Sequence, residues 1–437
     1  MKTKTSNIKG DRGFCILPFI HLSTRTDGSM QICCHANSSS TENDRQPGCN
    51  RKDDGSIVNL KIDKAENYWN SDYMRSVRMD MINGKYPRAC LQCYKEEKLG
   101  YKSKRLWENE EWENRINFDD ILNKVNQDGS MPYGIHYVDM KLGNKCDLAC
   151  VMCNPADSTK WIPDHNKLIS VSSEELNKEI YWNKSEAGGY NWWKNNKTYW
   201  TDVYEQLHNL RHIYIIGGEP TINSEFKLFL QYCVDNNHAQ NIELRFNTNG
   251  QTEDPELKEL YKSFKNVLIH LSMDGIEQRY EYIRYPGKWD KQLSVLQYWD
   301  NMPDNVTIDI DCTVNVLNVL HIPAFVRWKM KQGFKKLNIK RFGGTIGMHF
   351  LWTPSFLGIN NLNNELKQKA THDIKELMNE LGQTVTQKYK KFDALLNAIE
   401  KPATNINLLI EYLDNMDKLR GTSWKDTFPE LISMQKN

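Results

Sequence analysis

The chain has 437 residues, 39% apolar and 26% charged, which suits a folded protein of two or three structural units and excludes a disordered one. Lys and Arg number 57 against 56 Asp and Glu, so a net charge of +1 leaves no global basic field for a nucleic acid backbone. The opening MKTKTSNIKGDRGFC lacks an apolar core of signal-peptide length, and no stretch approaches the roughly 20 apolar residues of a membrane span, so a cytoplasmic protein is expected.

Taken in chain order, residues 1–132 are rich in cysteine. Nine of the 11 cysteines lie within the first 153 residues. A reducing compartment favours metal or redox chemistry over disulfides for such a set. Cys15 opens FCILPFIHLSTRTDGSMQICC, a segment with an apparent hairpin at Asp27–Gly28, and PRACLQCYKEE closes the set with Cys90 and Cys93. A CxxC pair plus two distant cysteines has zinc-ribbon or iron–sulfur spacing. Asn37–Gly55, rich in Ser, Asn, Asp and Gly, reads as a mobile loop that carries an unligated Cys49. A helix is expected near Ala65–Asn83.

Between Tyr133 and Phe342 the pattern becomes regular. Strands are expected at Val138–Leu142, His212–Ile216, Ile242–Phe246, Val267–Leu271, Thr307–Thr313 and Lys336–Arg341, with helices between them from the second strand onward. Ser224 can cap one helix, and Asp254 followed by Pro255 can start another. Strands alternating with helices predict a parallel α/β sheet, and six strands predict a partial (β/α)6 TIM-type barrel over 133–345. An aromatic-rich insertion, 154–211, interrupts it after the first strand. Its Trp182, Trp192, Trp193 and Trp200 form either a small satellite core or part of a lid over a substrate. Residues 346–437 read as a helical C-terminal extension for packing. Cys233 and Cys312 stand alone in apolar stretches and read as small core residues.

The first strand runs into KLGNKCDLACVMC, which spaces Cys146, Cys150 and Cys153 so that one loop can wrap three corners of a [4Fe–4S] cubane. Three ligands leave one iron open, an arrangement suited to catalysis. The alternatives are a zinc site completed from elsewhere and three incidental buried thiols. Three further motifs follow expected strands, where parallel barrels gather their chemistry. Gly217–Gly218–Glu219–Pro220 allows close backbone approach and offers a carboxylate for an ammonium group, or is an ordinary turn. Asn247 and Asn249 can serve ribose hydroxyls, or mark a turn. Ser272–Met273–Asp274–Gly275 precedes Arg284, which serves a carboxylate or a structural salt bridge.

In their order these motifs resemble the radical S-adenosylmethionine superfamily. Met152 stands where members usually carry an aromatic residue beside the adenine. The resemblance implies catalytic ligands Cys146, Cys150 and Cys153. It implies a cofactor site of Met152, Gly217, Gly218, Glu219, Pro220, Asn247, Asn249, Ser272, Asp274 and Arg284, with Glu219 on the methionyl amino group and Ser272 on the carboxylate. The implied cofactors are a [4Fe–4S] cluster and S-adenosyl-L-methionine. The implied reaction is reductive cleavage to a 5′-deoxyadenosyl radical that abstracts hydrogen from a substrate, fed by a flavodoxin- or ferredoxin-like electron donor.

The N-terminal set resembles the twitch and SPASM auxiliary-cluster modules, here placed before the barrel. Cys15, Gly28 with Cys33, Trp69, and Pro87 with Cys90 and Cys93 follow the modules' order. The resemblance implies a second [4Fe–4S] cluster on Cys15, Cys33, Cys90 and Cys93, with Cys34 as an alternative to Cys33 and zinc as an alternative metal. Such modules point to a peptide or protein substrate. A small molecule, sugar or nucleotide, and a non-enzymatic cluster-binding protein, are the alternatives.

Overall fold

The computed structural model describes residues 13–36, 47–98, 102–180, 190–337, 342–351 and 353–436. The chain is an open, mostly parallel α/β sheet with helices, divided into two compact units. The first unit comprises Met1–Gly143, Ser185–Gly217 and Leu228–Leu244, and the second Asn144–Lys184, Gly218–Lys227 and Arg245–Asn437.

In the first unit the expected hairpin forms between β1 (His21–Thr24) and β2 (Met30–Gln31). Gly28 sits in its turn at φ 87°, a conformation that a side chain would strain. β1 then pairs in parallel with β3 (Tyr137–Lys141), which pairs in parallel with β4 (His212–Ile216). The sheet position of β1 is not legible in HLST, because all four residues are buried and no alternation marks a face. The expected helix at 65–83 is two helices, Ala65–Tyr68 and Asp72–Ile82, the second capped by Ser71. Cys49 is fully buried and bridges to Gln31, and Arg51 bridges to Ile57, so the second half of the expected loop is ordered. Its first half, 37–46, lies outside the described residues.

The second unit holds β5 (Glu243–Thr248) from Arg245 onward, β6 (Asn266–Ser272), β7 (Val306–Val314) and β8 (Gly347–Phe350). β6 to β7 and β7 to β8 are parallel, with Ser272 level with Asp311 and Thr313 level with His349. Most of the expected strand at Lys336–Arg341 lies outside the described residues. Its first residues, Lys336 and Leu337, turn on the Asp300 carboxylate, residues 338–341 are not described, and a strand that the sequence did not mark runs from Gly347 to Phe350. A four-residue strand that begins with Gly carries too little pattern to read. That Gly is required, since a Cβ there would lie 1.9 Å from the Asp311 carboxylate.

Helix starts follow the chain's capping chemistry. Asp254 accepts from the amides of Glu256 and Leu257 with Pro255 in the first turn. For Ser224–Asp235 the cap is Asn223, one residue before the expected Ser224, whose hydroxyl is engaged by Glu225. Beyond Phe350 the described residues are helical, chiefly Asn364–Leu381, Lys391–Ile399 and Ile406–Arg420. No helix among the described residues is long and apolar enough to cross a membrane.

The aromatic insertion is a satellite core where the structure describes it. Trp192, Trp193 and Trp200 are buried, and each indole N–H is satisfied by a carbonyl, of Thr26, Tyr190 and Trp193 respectively. A Cβ on Gly28 would come within 2.9 Å of the Trp192 ring, so the indole packs directly under the hairpin turn. The lid reading is therefore replaced by packing for these three residues, while Trp182 lies outside the described residues. Trp192→Ala is expected to cost about 3 kcal/mol, read as a lowered midpoint in urea unfolding with an unchanged slope.

Candidate active site

The cysteine loop is built from the second unit's own contacts. Its backbone is clamped: Ala149 N–H donates to the Tyr285 carbonyl at 2.6 Å and Val151 N–H to the Ile283 carbonyl at 2.8 Å. The Trp161 indole donates to the Cys150 carbonyl at 2.7 Å, and the Tyr412 hydroxyl to the Val151 carbonyl at 2.7 Å. Cys150 is buried, and Cys146 and Cys153 are half-buried. Burial and then Cys150 push the Cys146 thiol up to about 12. The Cys150 thiol is lowered, first by its hydrogen bond with Cys153 and further by Arg284. Three clustered, largely buried thiols beside a guanidinium are a donor set that a cationic metal cluster fits, because only such a partner lets all three deprotonate together.

The GGEP motif follows β4 in the conformation its glycines permit. Gly217 has φ 93° and Gly218 φ 58°. A Cβ on Gly218 would lie 2.2 Å from the Lys145 carbonyl oxygen, so Gly218 lets the backbone pass directly against the cysteine loop. Glu219 N–H donates to that same carbonyl at 2.8 Å. Pro220 is buried beside it.

Glu219 is 1% exposed and accepts four hydrogen bonds. Thr221 N–H, Thr221 Oγ1 and Thr248 Oγ1 reach Oε1 at 3.0, 2.7 and 2.8 Å, and Asn249 N–H reaches Oε2 at 2.6 Å. Burial raises its pKa, opposed by those donors. Asn249 in turn donates through Nδ2 to Asp147 at 2.7 Å and approaches Cys146 Sγ at 4.0 Å. Glu219, Thr248, Asn249 and the cysteine loop are thus one polar chain. Thr248 has no counterpart in the sequence reading, although its place beside Asn247 and Asn249 was a visible signal.

Glu219→Gln replaces one acceptor oxygen with an amide that faces donors. We expect it to cost about 1–3 kcal/mol in unfolding free energy, read as a lowered midpoint in urea unfolding.

Asp274 and Arg284 form a buried pair, Arg284 Nε to Asp274 Oδ2 at 2.6 Å. Arg284 Nη1 donates to Cys150 Sγ at 3.8 Å, and Asp274 Oδ1 accepts from Thr313 N–H at 2.7 Å. Of the two expected roles for Arg284, the salt bridge is present, with the thiol as its second contact. Ser272 ends β6 half-buried, and Asn247 and Met152 are half-buried.

A further polar set went unread in the sequence. Arg245 Nε donates to His270 at 2.8 Å, His270 Nδ1 faces Asp311 at 2.9 Å, and exposed His349 reaches Asp311 at 3.0 Å. Burial would raise the Asp311 pKa, but the two imidazoles outweigh it and hold the carboxylate well below its usual range. These residues come one from each of four strands, β5 to β8, and share one face, which strand periodicity could have exposed.

In the first unit, Cys15, Cys33 and Cys93 are buried and Cys90 half-buried. Burial first, then Cys90 and Cys93, raise Cys15, and Cys33 is raised by burial, Cys34, Cys90, Cys15 and Cys93. Cys34 differs: after burial its largest influence is the Asp139 carboxylate, and its pKa is pushed up to about 12. The cysteine segments are tied by Arg105, which donates to the Phe14 carbonyl at 2.8 Å and pairs with Glu97, and by Tyr94, which donates to the Gly13 carbonyl at 2.8 Å. Four thiols that repel one another in a buried setting fit a bound cation or cluster.

The second unit thus sets a three-cysteine loop, clamped by Trp161, Tyr285 and Tyr412, beside a buried glutamate and an arginine–aspartate pair. Residues 140–311 match the model of the Radical SAM superfamily.

An uncharacterized protein of Methanocaldococcus jannaschii is 21% identical over 235 residues, 53% of this chain and 72% of that protein. Mycofactocin maturase MftC of Mycolicibacterium smegmatis is 26% identical over 103 residues, 23% of this chain and 25% of that protein. Among solved structures, native anSMEcpe with bound AdoMet and Cp18Cys peptide is 16% identical, covers 66% of each chain and has a TM-score of 0.35. Streptococcus suis SuiB bound to S-adenosylmethionine is 12% identical, covers 77% of this chain and 70% of that chain, and has a TM-score of 0.34.

Proposed function

We propose that the protein is a radical S-adenosylmethionine enzyme that modifies a peptide or protein. The observation that carries this is the chain of contacts from Glu219 through Asn249 to Cys146, joining motifs that the sequence keeps far apart. Cys146, Cys150 and Cys153 would hold a [4Fe–4S] cluster with one open iron, and Ser272, Asn247, Met152 and Pro220 would line the cofactor beside it. When bound, the cluster supplies an electron and S-adenosylmethionine supplies the 5′-deoxyadenosyl radical.

The protein's part is positional. Gly218 brings the backbone against the loop, Glu219 fixes Asn249, and the Arg284–Asp274 pair fixes one thiolate. A flavodoxin- or ferredoxin-like donor would deliver the electron. Cys15, Cys33, Cys90 and Cys93 would hold a second [4Fe–4S] cluster, with Cys34 turned instead to Asp139. The twitch-like order of those cysteines and the likeness to a mycofactocin maturase support a peptide substrate over a small molecule.

The test is electron paramagnetic resonance of the anaerobically reduced full chain. Addition of S-adenosylmethionine should change the signal of the cluster with the open iron. A signal indifferent to S-adenosylmethionine would contradict the proposal.

A further inference from the structure

The helix Ile406–Arg420 lies outside the matched family segment and reads from sequence as packing, yet Tyr412 reaches the cysteine loop and Arg420 reaches two rings that brace it. Tyr412 holds the Val151 carbonyl. Arg420 lies between two rings, its guanidinium carbon 4.7 Å from the Trp161 centroid and 4.6 Å from that of Tyr285. Both rings belong to residues bonded to the loop, Trp161 through its indole to Cys150 and Tyr285 through its carbonyl to Ala149.

Arg420 Nε donates to Asp164 at 2.9 Å, and its side chain is 3% exposed. Nη1 and Nη2 are buried without an acceptor. A buried guanidinium that leaves two nitrogens unpaired loses their hydration with no return, so the geometry calls for an acceptor that the polypeptide does not supply.

We infer that Arg420 donates through Nη1 and Nη2 to sulfur of the iron–sulfur cluster on the Cys150–Cys153 side, which makes the C-terminal helix part of the redox centre. The inference rests on the radical S-adenosylmethionine reading. Cluster sulfides and thiolates are anionic acceptors, and hydrogen bonds to them favour the reduced, more negative state and raise the potential. Arg284 already donates to Cys150 from the opposite partner set, Asp274 rather than Asp164. Each guanidinium has its own carboxylate, so the pair acts as donors with little net charge.

The experiment is potentiometry on the full chain, followed by the paramagnetic signal that S-adenosylmethionine perturbs, in wild type, Arg420→Met and Arg420→Lys. At the wild-type midpoint potential, Arg420→Met should show a reduced-to-oxidised ratio at least about tenfold lower, which is about 59 mV for one electron. Arg420→Lys keeps the charge and loses the fork, so it should fall between. If Arg420→Met loses iron or unfolds, the lysine variant carries the same comparison.

A wild-type potential with full iron content in the variants overturns the inference. So does weakened S-adenosylmethionine binding at an unchanged potential, which would assign the two nitrogens to the cofactor carboxylate. A wild-type protein with no S-adenosylmethionine-sensitive signal removes the underlying reading, and this inference with it.

Discussion

Replacing Cys146, Cys150 and Cys153 together by Ala should lower the iron of the anaerobically reconstituted protein from about eight to about four atoms per chain. The remaining iron belongs to the N-terminal set, so Cys90→Ala with Cys93→Ala should remove the other half and leave the first. The two losses are expected to be independent, because each set is braced by contacts of its own unit, Trp161, Tyr285 and Tyr412 on one side, Arg105 and Tyr94 on the other. Metal analysis and the visible absorption of each variant check this. Full iron in the triple variant would move the catalytic cluster elsewhere. Zinc in the first unit would reduce that site to a structural one.

Arg284→Met should destabilise the fold by about 3–5 kcal/mol, the scale seen when one partner of a buried ion pair is removed. Asp274 is fully buried, and its remaining donors are the Thr313 amide and whatever the relaxed site supplies, so its charge would be left nearly alone. Replacing both residues by apolar ones of similar volume should recover part of that loss. Unfolding midpoints of the single and double variants in urea measure both effects. A single variant as stable as wild type would show that Asp274 is neutralised by another route.

Much of this architecture is legible in the sequence, and the failures have physical causes. Strands of five or more residues with clear apolar runs were placed to within a residue or two, as at His212–Ile216 and Asn266–Ser272. β1 and β8, four residues each, carry too few positions for a period, and β8 begins on a glycine demanded by Asp311 in the neighbouring strand. The motif residues could be named because their chemistry is local and their spacing is fixed by one loop or one turn.

What spacing does not reveal is which side chains already have partners. Glu219 is spoken for by four donors, and Arg284 by Asp274, facts set by strands far apart in the chain. Trp192 and Trp193 could be read as a satellite core or as part of a lid, because aromatic residues serve binding and packing alike. Only their satisfied indoles and the hairpin above Trp192 distinguish the two. Arg420 lay in a helix with no motif at all.

The central claim, that Cys146, Cys150 and Cys153 carry a cluster that cleaves S-adenosylmethionine, is tested most directly by product analysis. The reconstituted full chain, reduced with dithionite and given S-adenosylmethionine, should form 5′-deoxyadenosine and methionine, and the triple Ala variant should form neither. Absence of 5′-deoxyadenosine from a wild-type protein with its full iron content, or equal amounts from the wild type and the triple variant, would contradict the account.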